Sequence, residues 1–260
     1  MEKEKKAFIL GTGPSLNKID ITKLKEEVTI TFNRAYLAFD DWGFDPTYYL
    51  IIDGNDIRSL YKDINNLILE RNIQKFFLLQ VEDNYLHKPM HFQDEEFKNN
   101  DEMYVKSDKI ILIKNTHNST NPILHDIETS ENIWKTTVLP NAGFMGLKTM
   151  YNLGYKKLYL CGMDARYQDD TSYRNVLVDG GAYKASTNED INHFRPDYFG
   201  KDVFFGKPNQ DQIISIWRNF MLNVKPKLYP DLKIYSCSEN SNLNEFIEFV
   251  EFNSIVNEYK

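Results

Sequence analysis

The stretch Ala7-Phe8-Ile9-Leu10-Gly11-Thr12-Gly13-Pro14-Ser15-Leu16 decides the fold of this 260-residue chain. Its first four residues form an apolar run typical of a buried strand. A buried strand that ends in Gly-x-Gly brings backbone N–H groups close to a ligand at the strand's carboxyl end, which suits phosphate. Leu16 stands where the dinucleotide fingerprint has its third glycine, so the turn does not favour NAD. The turn could also be only a tight strand-to-helix connection, since glycine adopts backbone angles that other residues avoid.

Apolar runs of strand length recur along the chain. They occupy residues 8–10, 28–32, 48–52, 76–79, 110–113, 158–161 and 233–236. Several are apolar at consecutive positions, as strands covered on both faces must be. Helical patterns lie between them, at residues 21–27, 57–71, 143–153 and 210–224. The alternation predicts an α/β fold with a doubly wound, mostly parallel sheet of the Rossmann-like type.

Two segments interrupt this alternation, residues 82–108 and 165–207. The second carries Gly180-Gly181, many tyrosines and few aliphatic residues. Loops of this length inside a compact domain are usually functional lids or disordered insertions. We therefore predict a single nucleotide-sugar-binding domain over residues 1–260, with residues 165–207 inserted as a lid over its active site.

Charge and composition narrow the class of protein. A net charge of −7 argues against nucleic acid as a partner, because the phosphate backbone needs a basic face. Two cysteines, Cys161 and Cys237, are too few for a disulfide framework, and the histidines lack zinc-site spacing. No apolar run is long enough for a signal peptide or a membrane span. We expect a cytoplasmic homo-oligomer, peripheral at the inner membrane at most, that needs no metal or other cofactor.

Polar residues follow several predicted strands at their carboxyl ends. Asn33 follows the second strand, Asp53 and Asp56 follow the third, and Asp164 follows the strand at 158–161. Such residues converge on the crevice where open α/β sheets bind ligands. Asp53 and Asp56 could bind a ribose, a base or a divalent cation. Capping of the next helix is the alternative, and it suits Asp56 better than Asp53.

Two further places could carry chemistry. Asn141-Ala142-Gly143 precedes a predicted helix, whose free N–H groups can accept a phosphate or a sugar hydroxyl, although Asn141 could simply cap it. In the lid, His193 and Asp197 are candidate proton acceptors for a substrate hydroxyl, or else solvated loop residues. The chain has no Gly-x-Ser-x-Gly elbow and no Walker lysine, which excludes serine-hydrolase and P-loop chemistry.

These landmarks resemble the bacterial sialyltransferases of glycosyltransferase family 42. The resemblance rests on the turn at 11–16, on Asn33, on the run 153–164 and on the segment 240–248. The same landmarks are similar to the Maf-type proteins of flagellin glycosylation and to the archaeal hydroxymethylpterin diphosphokinase-like group. The resemblance extends over nearly the whole chain.

The resemblance implies a transferase that uses a CMP-activated nonulosonic acid. Asp53 stands where the family has an asparagine that contacts the nucleotide, and Ala142 stands where it has a serine. With the landmarks above, the expected nucleotide-binding residues are Gly11, Thr12, Gly13, Pro14, Ser15, Asn33, Asp53, Asn141, Ala142, Gly143 and Asp164.

The resemblance also implies the catalytic residues. Two lid tyrosines of the family hold the leaving phosphate, and Tyr167 and Tyr173 keep their six-residue separation. When His193 is aligned with the first lid histidine, the family's catalytic histidine falls on Asp197. Asp197 or His193 is therefore the expected base.

The predicted function is transfer of a sialic-acid-like sugar from a CMP donor to a cell-surface glycan or lipid acceptor, without metal. One alternative is a magnesium-dependent pyrophosphokinase of the pterin type, in which Asp53 and Asp56 would hold the metal on ATP. Another is a non-catalytic nucleotide-sugar-binding protein, because the family's base position is altered here.

Overall fold

A computed structural model describes residues 5–80, 103–116, 121–168, 175–177, 183–206 and 208–256. In this part of the chain, ten strands form one central sheet. They are β1 (Lys6–Leu10), β2 (Thr29–Phe32), β3 (Tyr48–Ile51), β4 (Lys75–Leu79), β5 (Ile110–Asn115), β6 (Glu128–Ser130), β7 (Ile133–Thr136), β8 (Lys157–Cys161), β12 (Lys233–Ser236) and β13 (Glu248–Phe249). A separate three-stranded sheet contains β9 (Asn175–Leu177), β10 (Tyr183–Ala185) and β11 (Phe204–Phe205).

The central sheet is parallel except at one edge. Its order is β13-β12-β8-β1-β2-β3-β4-β5-β7-β6, and only β6 runs antiparallel to its neighbour. From β1 the chain builds outward through β2, β3, β4 and β5, and it later returns to the other side of β1 at β8. The strand order therefore reverses between β1 and β8, which is where sheets of this kind open a ligand crevice.

Helices cover both faces of the sheet. The α-helices are α1 (Phe39–Trp42), α2 (Gly54–Glu70), α3 (Ala142–Asn152), α4 (Gln210–Asn219), α5 (Lys225–Leu228) and α6 (Phe252–Val256). Short 3₁₀ turns occupy Pro14–Lys18, Ile21–Leu24, Asn33–Ala38 and Asn242–Glu245, and a π turn at Phe220–Val224 joins α4 to α5. The predicted doubly wound, mostly parallel α/β fold is confirmed.

Strand β1 shows why the sheet has two cores. Its apolar residues alternate, so that Phe8 and Leu10 face one side while Ala7 and Ile9 face the other. The amphipathic helix α2 buries its apolar stripe in the first core, and α3 packs over β1, β2 and β3 in the second. Continuous apolar runs are therefore required in the central strands.

All seven predicted strands are present. The pattern at 21–27 forms only the 3₁₀ turn Ile21–Leu24, because a seven-residue segment is too short for a stable helix without strong packing. The pattern at 210–224 begins as α4 and continues into the π turn. Most of the segment 82–108 lies outside the described residues.

The segment predicted as a lid is partly built into the core. Phe194 and Tyr198 are only 6% and 2% exposed, and both belong to the first core. The Phe194 N–H donates to the Thr12 carbonyl at 2.9 Å, and the Asn17 amide donates to the Phe194 carbonyl at 2.6 Å. This portion of the segment is therefore anchored on the glycine turn.

Within the described ranges, no helix combines the length and the apolar character that crossing a bilayer requires.

Candidate functional site

The turn after β1 and the turn after β8 lie against each other where the strand order reverses. The Gly13 N–H donates to the Gly162 carbonyl at 2.9 Å, and the Ser15 N–H donates to Asp164 Oδ2 at 2.9 Å. A Cβ on Gly13 would lie 2.3 Å from that carboxylate oxygen, well inside contact distance. Glycine is needed at this position because the two turns approach so closely.

The same contacts occupy the backbone N–H groups that the sequence suggested for phosphate binding. The N–H groups of Gly11, Gly13 and Ser15 all donate to acceptors of the protein itself, with Gly11 donating to the Cys161 carbonyl at 2.7 Å. They are therefore engaged in holding the two turns together. Asp164 acts here as a residue that positions the turn, through its bond to Ser15.

The first turn of α3 borders the same crevice. Asn141 caps the helix, because its Oδ1 accepts the Phe144 N–H at 2.6 Å. The first N–H groups of a helix, here those of Ala142 and Gly143, have no partner within the helix. The Met163 thioether lies beside them, since its Cε would be 1.9 Å from a Cβ placed on Gly143. Met163 therefore lines the crevice between the glycine turn and α3.

The end of β2 carries two unsatisfied polar atoms. Asn33 adopts a positive φ of 54°, and its carbonyl accepts a hydrogen bond from the Tyr49 hydroxyl. Among the described residues, Asn33 Oδ1 and Arg34 Nε are buried without a hydrogen-bond partner. A strained backbone and orphaned polar atoms are both costly and are commonly retained at functional sites. This favours the predicted position of Asn33 beside a ligand.

The roles of Asp53 and Asp56, which follow β3, differ from those that the sequence suggested. Asp53 Oδ1 accepts the Asp56 N–H at 3.3 Å, so Asp53 caps α2, although the sequence pattern suited Asp56 better for that role. The cap falls on Asp53 because α2 begins at Gly54, three residues earlier than the apolar pattern indicated. The Asp56 carboxyl is buried instead. Burial, together with the negative charge of Asp53, raises the pKa of Asp56 to about 7, while Arg34 opposes this shift.

His193 and Asp190 form a buried pair on the anchored segment. His193 Nδ1 lies 2.9 Å from Asp190 Oδ2, and both side chains are almost completely buried. The Asp190 carboxylate also accepts the N–H groups of Asn192 and Phe199, which hold it in place. A carboxylate fixed beside Nδ1 sets the imidazole tautomer and leaves Nε2 as the proton acceptor.

Aromatic rings fix the position of this imidazole. Tyr198 stacks on His193 with ring centroids 3.9 Å apart and an interplanar angle of 4°. The Tyr198 hydroxyl hydrogen-bonds Thr12 and accepts the Arg34 N–H at 3.4 Å. Tyr198 therefore connects the histidine to the glycine turn and to the end of β2.

The Tyr167 ring packs against the imidazole in a T-shaped arrangement, with 6.1 Å between the ring centroids. Burial and the charges of Asp190 and Asp164 raise the pKa of Tyr167 to about 12, so its hydroxyl keeps its proton. Tyr173, the other predicted tyrosine, lies outside the described residues.

Asp197, the other predicted base, has a different environment. Its carboxylate pairs bidentately with Arg195, at 2.8 Å to Nε and 3.1 Å to the terminal nitrogen. Arg195 also reaches Asp41 at 2.8 Å on the surface. The Arg195 hydrogen bonds hold the pKa of Asp197 below its ordinary value, although partial burial opposes them. A carboxylate held in this pair is a weak base, so the geometry favours His193 of the two.

The family model of 6-hydroxymethylpterin diphosphokinase MptE-like proteins matches residues 1–170. The chain belongs to the MptE-like family. The match covers β1 to β8, and so it contains both turns at the crevice. The His193–Asp190 pair lies beyond the matched residues. No curated protein matches the chain.

Among solved structures, this MptE-like chain is similar to the Maf glycosyltransferase from Magnetospirillum magneticum AMB-1, at 16% sequence identity and a TM-score of 0.47. The alignment covers 94% of this chain and 33% of that protein, so the chain spans about a third of its length.

Sequence reasoning assigned no role to three residues of this site. Asp190 precedes His193 by three residues, a spacing common in loops that carries no signal by itself. Arg34 directly follows Asn33, but nothing in the sequence marks its Nε as buried. Tyr198 is one of 16 tyrosines, and only the fold places its ring on the imidazole.

The described residues contain no group of three or more His, Cys, Asp or Glu side chains that could hold a metal ion. Asp53 and Asp56, which both follow β3, are close enough for the charge of one to affect the other. A magnesium ion there would need further oxygen ligands from a bound phosphate.

Proposed function

We propose that this MptE-like protein is a glycosyltransferase that binds a CMP-activated nonulosonic sugar at the crevice between β1 and β8. His193 deprotonates the acceptor hydroxyl of a glycan or lipid. The observation that carries this proposal is the 2.9 Å contact between His193 Nδ1 and the buried Asp190 carboxylate. A histidine oriented by a buried carboxylate beside a nucleotide crevice is suited to general-base chemistry.

In the proposed reaction, the acceptor oxygen attacks the anomeric carbon of the donor sugar. The bond between that carbon and the CMP phosphate oxygen breaks with inversion, and CMP leaves. The acceptor proton passes to His193 Nε2, and Asp190 stabilises the imidazolium that forms. The Tyr167 hydroxyl donates a hydrogen bond to the leaving phosphate, which its raised pKa permits at neutral pH.

Two observations favour a second candidate, a diphosphokinase that transfers a diphosphate group from ATP to a hydroxymethyl group. One is the family description itself, and the other is the pair Asp53 and Asp56 at the end of β3. These two carboxylates would hold a magnesium ion on the ATP phosphates. Unlike the sugar transfer, this reaction requires the metal.

Ligand-induced stabilisation separates the candidates. The melting temperature is measured with CMP, CDP, UDP, GDP and ATP, each with and without magnesium. We expect CMP to raise it without magnesium, because a ligand at 100 times its Kd adds about 2.7 kcal/mol to the unfolding free energy. Stabilisation by ATP only in the presence of magnesium would instead support the diphosphokinase.

Measurement of turnover then tests whether His193 is the base. Release of CMP from a CMP-activated nonulosonic acid is followed for the wild type and for His193→Gln. We expect the variant to keep its stabilisation by CMP and to lose turnover. A wild type that binds CMP but releases none from the donor would be a non-catalytic binder, and the proposal would fail.

A further inference from the structure

The Arg34 side chain at the end of β2 has a charged donor that the fold does not satisfy. Its Nε is buried and, among the described residues, has no hydrogen-bond partner. Arg71, Arg195 and Arg218 differ, because each of them forms an ion pair with a carboxylate. A buried donor without a partner destabilises a protein, and the cost is greater for a charged group. The stability of the free protein therefore does not explain this arginine.

Asp56 is close enough to feel the charge of Arg34, but it does not behave as a paired carboxylate. Arg34 acts to lower the pKa of Asp56, yet burial and the charge of Asp53 outweigh it and raise that pKa to about 7. A carboxylate that is paired with an arginine has a lowered pKa instead, as Asp197 has beside Arg195. The charge of Arg34 therefore lacks a paired carboxylate among the described residues.

Two aromatic residues place Arg34 beside the proposed base. The guanidinium carbon lies 5.9 Å from the centroid of the Phe199 ring, and the His193 imidazole packs against the same ring with 5.1 Å between centroids. The Arg34 N–H donates to the Tyr198 hydroxyl at 3.4 Å, and the Tyr198 ring stacks on the imidazole. The unsatisfied cation and His193 thus share Phe199 and Tyr198 as neighbours.

The proposed donor carries two anionic groups, the phosphate of CMP and the carboxylate of the sugar. In a nonulosonic acid the carboxylate is bonded directly to the anomeric carbon, which is the carbon that the acceptor oxygen attacks. Because His193 takes the proton from that oxygen, the carboxylate must lie near His193 during the reaction. The phosphate has other donors, namely the Tyr167 hydroxyl and the N–H groups at the start of α3. The position of Arg34 beside the base therefore favours the carboxylate.

We propose, on the basis of the transferase function proposed above, that Arg34 binds the carboxylate of the donor sugar and thereby selects acidic sugars. A guanidinium presents its N–H groups in a planar fork that matches a carboxylate. The Phe199 ring supports the guanidinium through a cation–π contact. A neutral sugar on the same nucleotide leaves Arg34 Nε without a partner, and that cost discriminates against it.

This contact also positions the reacting carbon. The carboxylate and the leaving CMP are attached to the same carbon of the donor. When Arg34 holds the first and Tyr167 holds the second, two of the substituents of that carbon are fixed. The acceptor oxygen on His193 then meets a carbon of defined orientation, which favours the attack.

Titration calorimetry with three ligands tests the proposal. The ligands are CMP, CMP-N-acetylneuraminate and the methyl ester of that donor, in which the carboxyl carries no charge. All proteins contain His193→Gln, so that the donor is not consumed during the titration. Arg34→Gln and Arg34→Lys are compared with the control Arg71→Gln, which removes the same charge after the last residue of α2, whose first residue follows β3. Melting temperatures confirm that every variant is folded.

We expect Arg34→Gln to raise the Kd for the donor by roughly 10- to 100-fold and to change the Kd for CMP by less than about twofold, because CMP has no carboxylate. Arg34→Lys should recover part of the loss, since it keeps the charge but not the planar fork. The ester should bind equally with or without Arg34→Gln. Arg71→Gln should change none of these affinities.

An Arg34→Gln protein that binds the donor as tightly as the His193→Gln parent would overturn the proposal. Equal losses for CMP and for the donor would also overturn it, because the anion on Arg34 would then be the phosphate. The transferase function is tested separately, by CMP binding and by release of CMP from the donor by the wild type. A protein that passes that test while Arg34→Gln has no effect would lose only the role of Arg34, whereas a parent that binds neither ligand would overturn both.

Discussion

At the scale of single residues, the two candidate bases have different surroundings. His193 and Asp197 are four residues apart, yet one lies against a buried carboxylate and the other is tied to Arg195 near the surface. Asp190 orients the imidazole from one side, and the Tyr198 ring supports it by stacking. Of the two candidates, His193 is oriented by a buried carboxylate, whereas the Arg195 pair lowers the basicity of Asp197.

The two candidates should therefore respond differently to substitution. Under the proposed transferase activity, His193→Gln should reduce kcat by about 10² to 10⁴. Asp197→Asn should change it less than about tenfold, because it removes an exposed ion pair of small energetic value. The kcat values of both variants are measured from initial rates of CMP release at a saturating donor concentration. A larger loss for Asp197→Asn than for His193→Gln would reverse the assignment.

Asp56 should make the stability of the protein fall as pH rises. Its pKa is about 7 in the folded state and near 3.8 in the unfolded state, so the folded state binds the extra proton between these values. The difference in unfolding free energy, Asp56→Asn minus wild type, should grow from about pH 4 to 7. Each unit of pKa shift contributes about 1.4 kcal/mol.

Urea unfolding from pH 4 to 8 measures that difference. The control is Asp231→Asn, which removes a carboxyl from an exposed position. A flat profile for Asp56→Asn would mean that the pKa of Asp56 is not raised in the folded protein.

At the scale of elements, the crevice depends on the close approach of two turns. The turn after β1 and the turn after β8 share hydrogen bonds through Gly11, Gly13 and Ser15. The anchored segment adds a further bond to Thr12 from Phe194. The site is therefore assembled from three segments that are distant in sequence, and each of them limits how far the others can move.

Gly13→Ala tests this assembly. The new Cβ would collide with the Asp164 carboxylate and the Gly162 carbonyl, so the carboxylate that accepts the Ser15 N–H or the turn itself must shift. We expect a loss of about 2 kcal/mol or more in unfolding free energy, measured by urea denaturation. Gly206→Ala is the matched control, because a Cβ there meets no atom within 4 Å. Equal effects of the two substitutions would contradict the close approach.

At the scale of the whole molecule, the segment 165–207 links the crevice to the core. Its anchored part contributes Phe194 and Tyr198 to the same core that contains β1 and α2.

Phe194→Ala should destabilise the entire fold. Deleting a buried phenylalanine costs about 3 to 5 kcal/mol, and the loss should appear in a single cooperative unfolding transition. Ile191→Ala, three residues earlier and 38% exposed, should cost less than about 1 kcal/mol. If Phe194→Ala left global unfolding unchanged and loosened only this segment, the segment would be an independent lid.

The sequence predicted the central architecture because burial on both faces leaves a local signal. Continuous apolar runs marked seven strands, including β1 and β8 on either side of the crevice, and the period of Ile57, Leu60, Ile64 and Leu67 marked α2. Short strands such as β6 and β13 were missed. They are exposed, and so they carry no apolar run.

The candidate site, like the fold, could be predicted from the sequence only in part. The sequence by itself determined that polar residues follow the strands, since Gly13, Asn33, Asp53 and Asp164 all come directly after apolar runs. Only the tertiary structure decided which contacts these residues make: Asp164 holds the glycine turn, and Asp53 caps α2. The pairing of His193 with Asp190 and its stacking on Tyr198 depend on the conformation of an irregular segment that carries no periodic pattern. Local sequence patterns record burial and period, but they do not record which side chains meet across the fold.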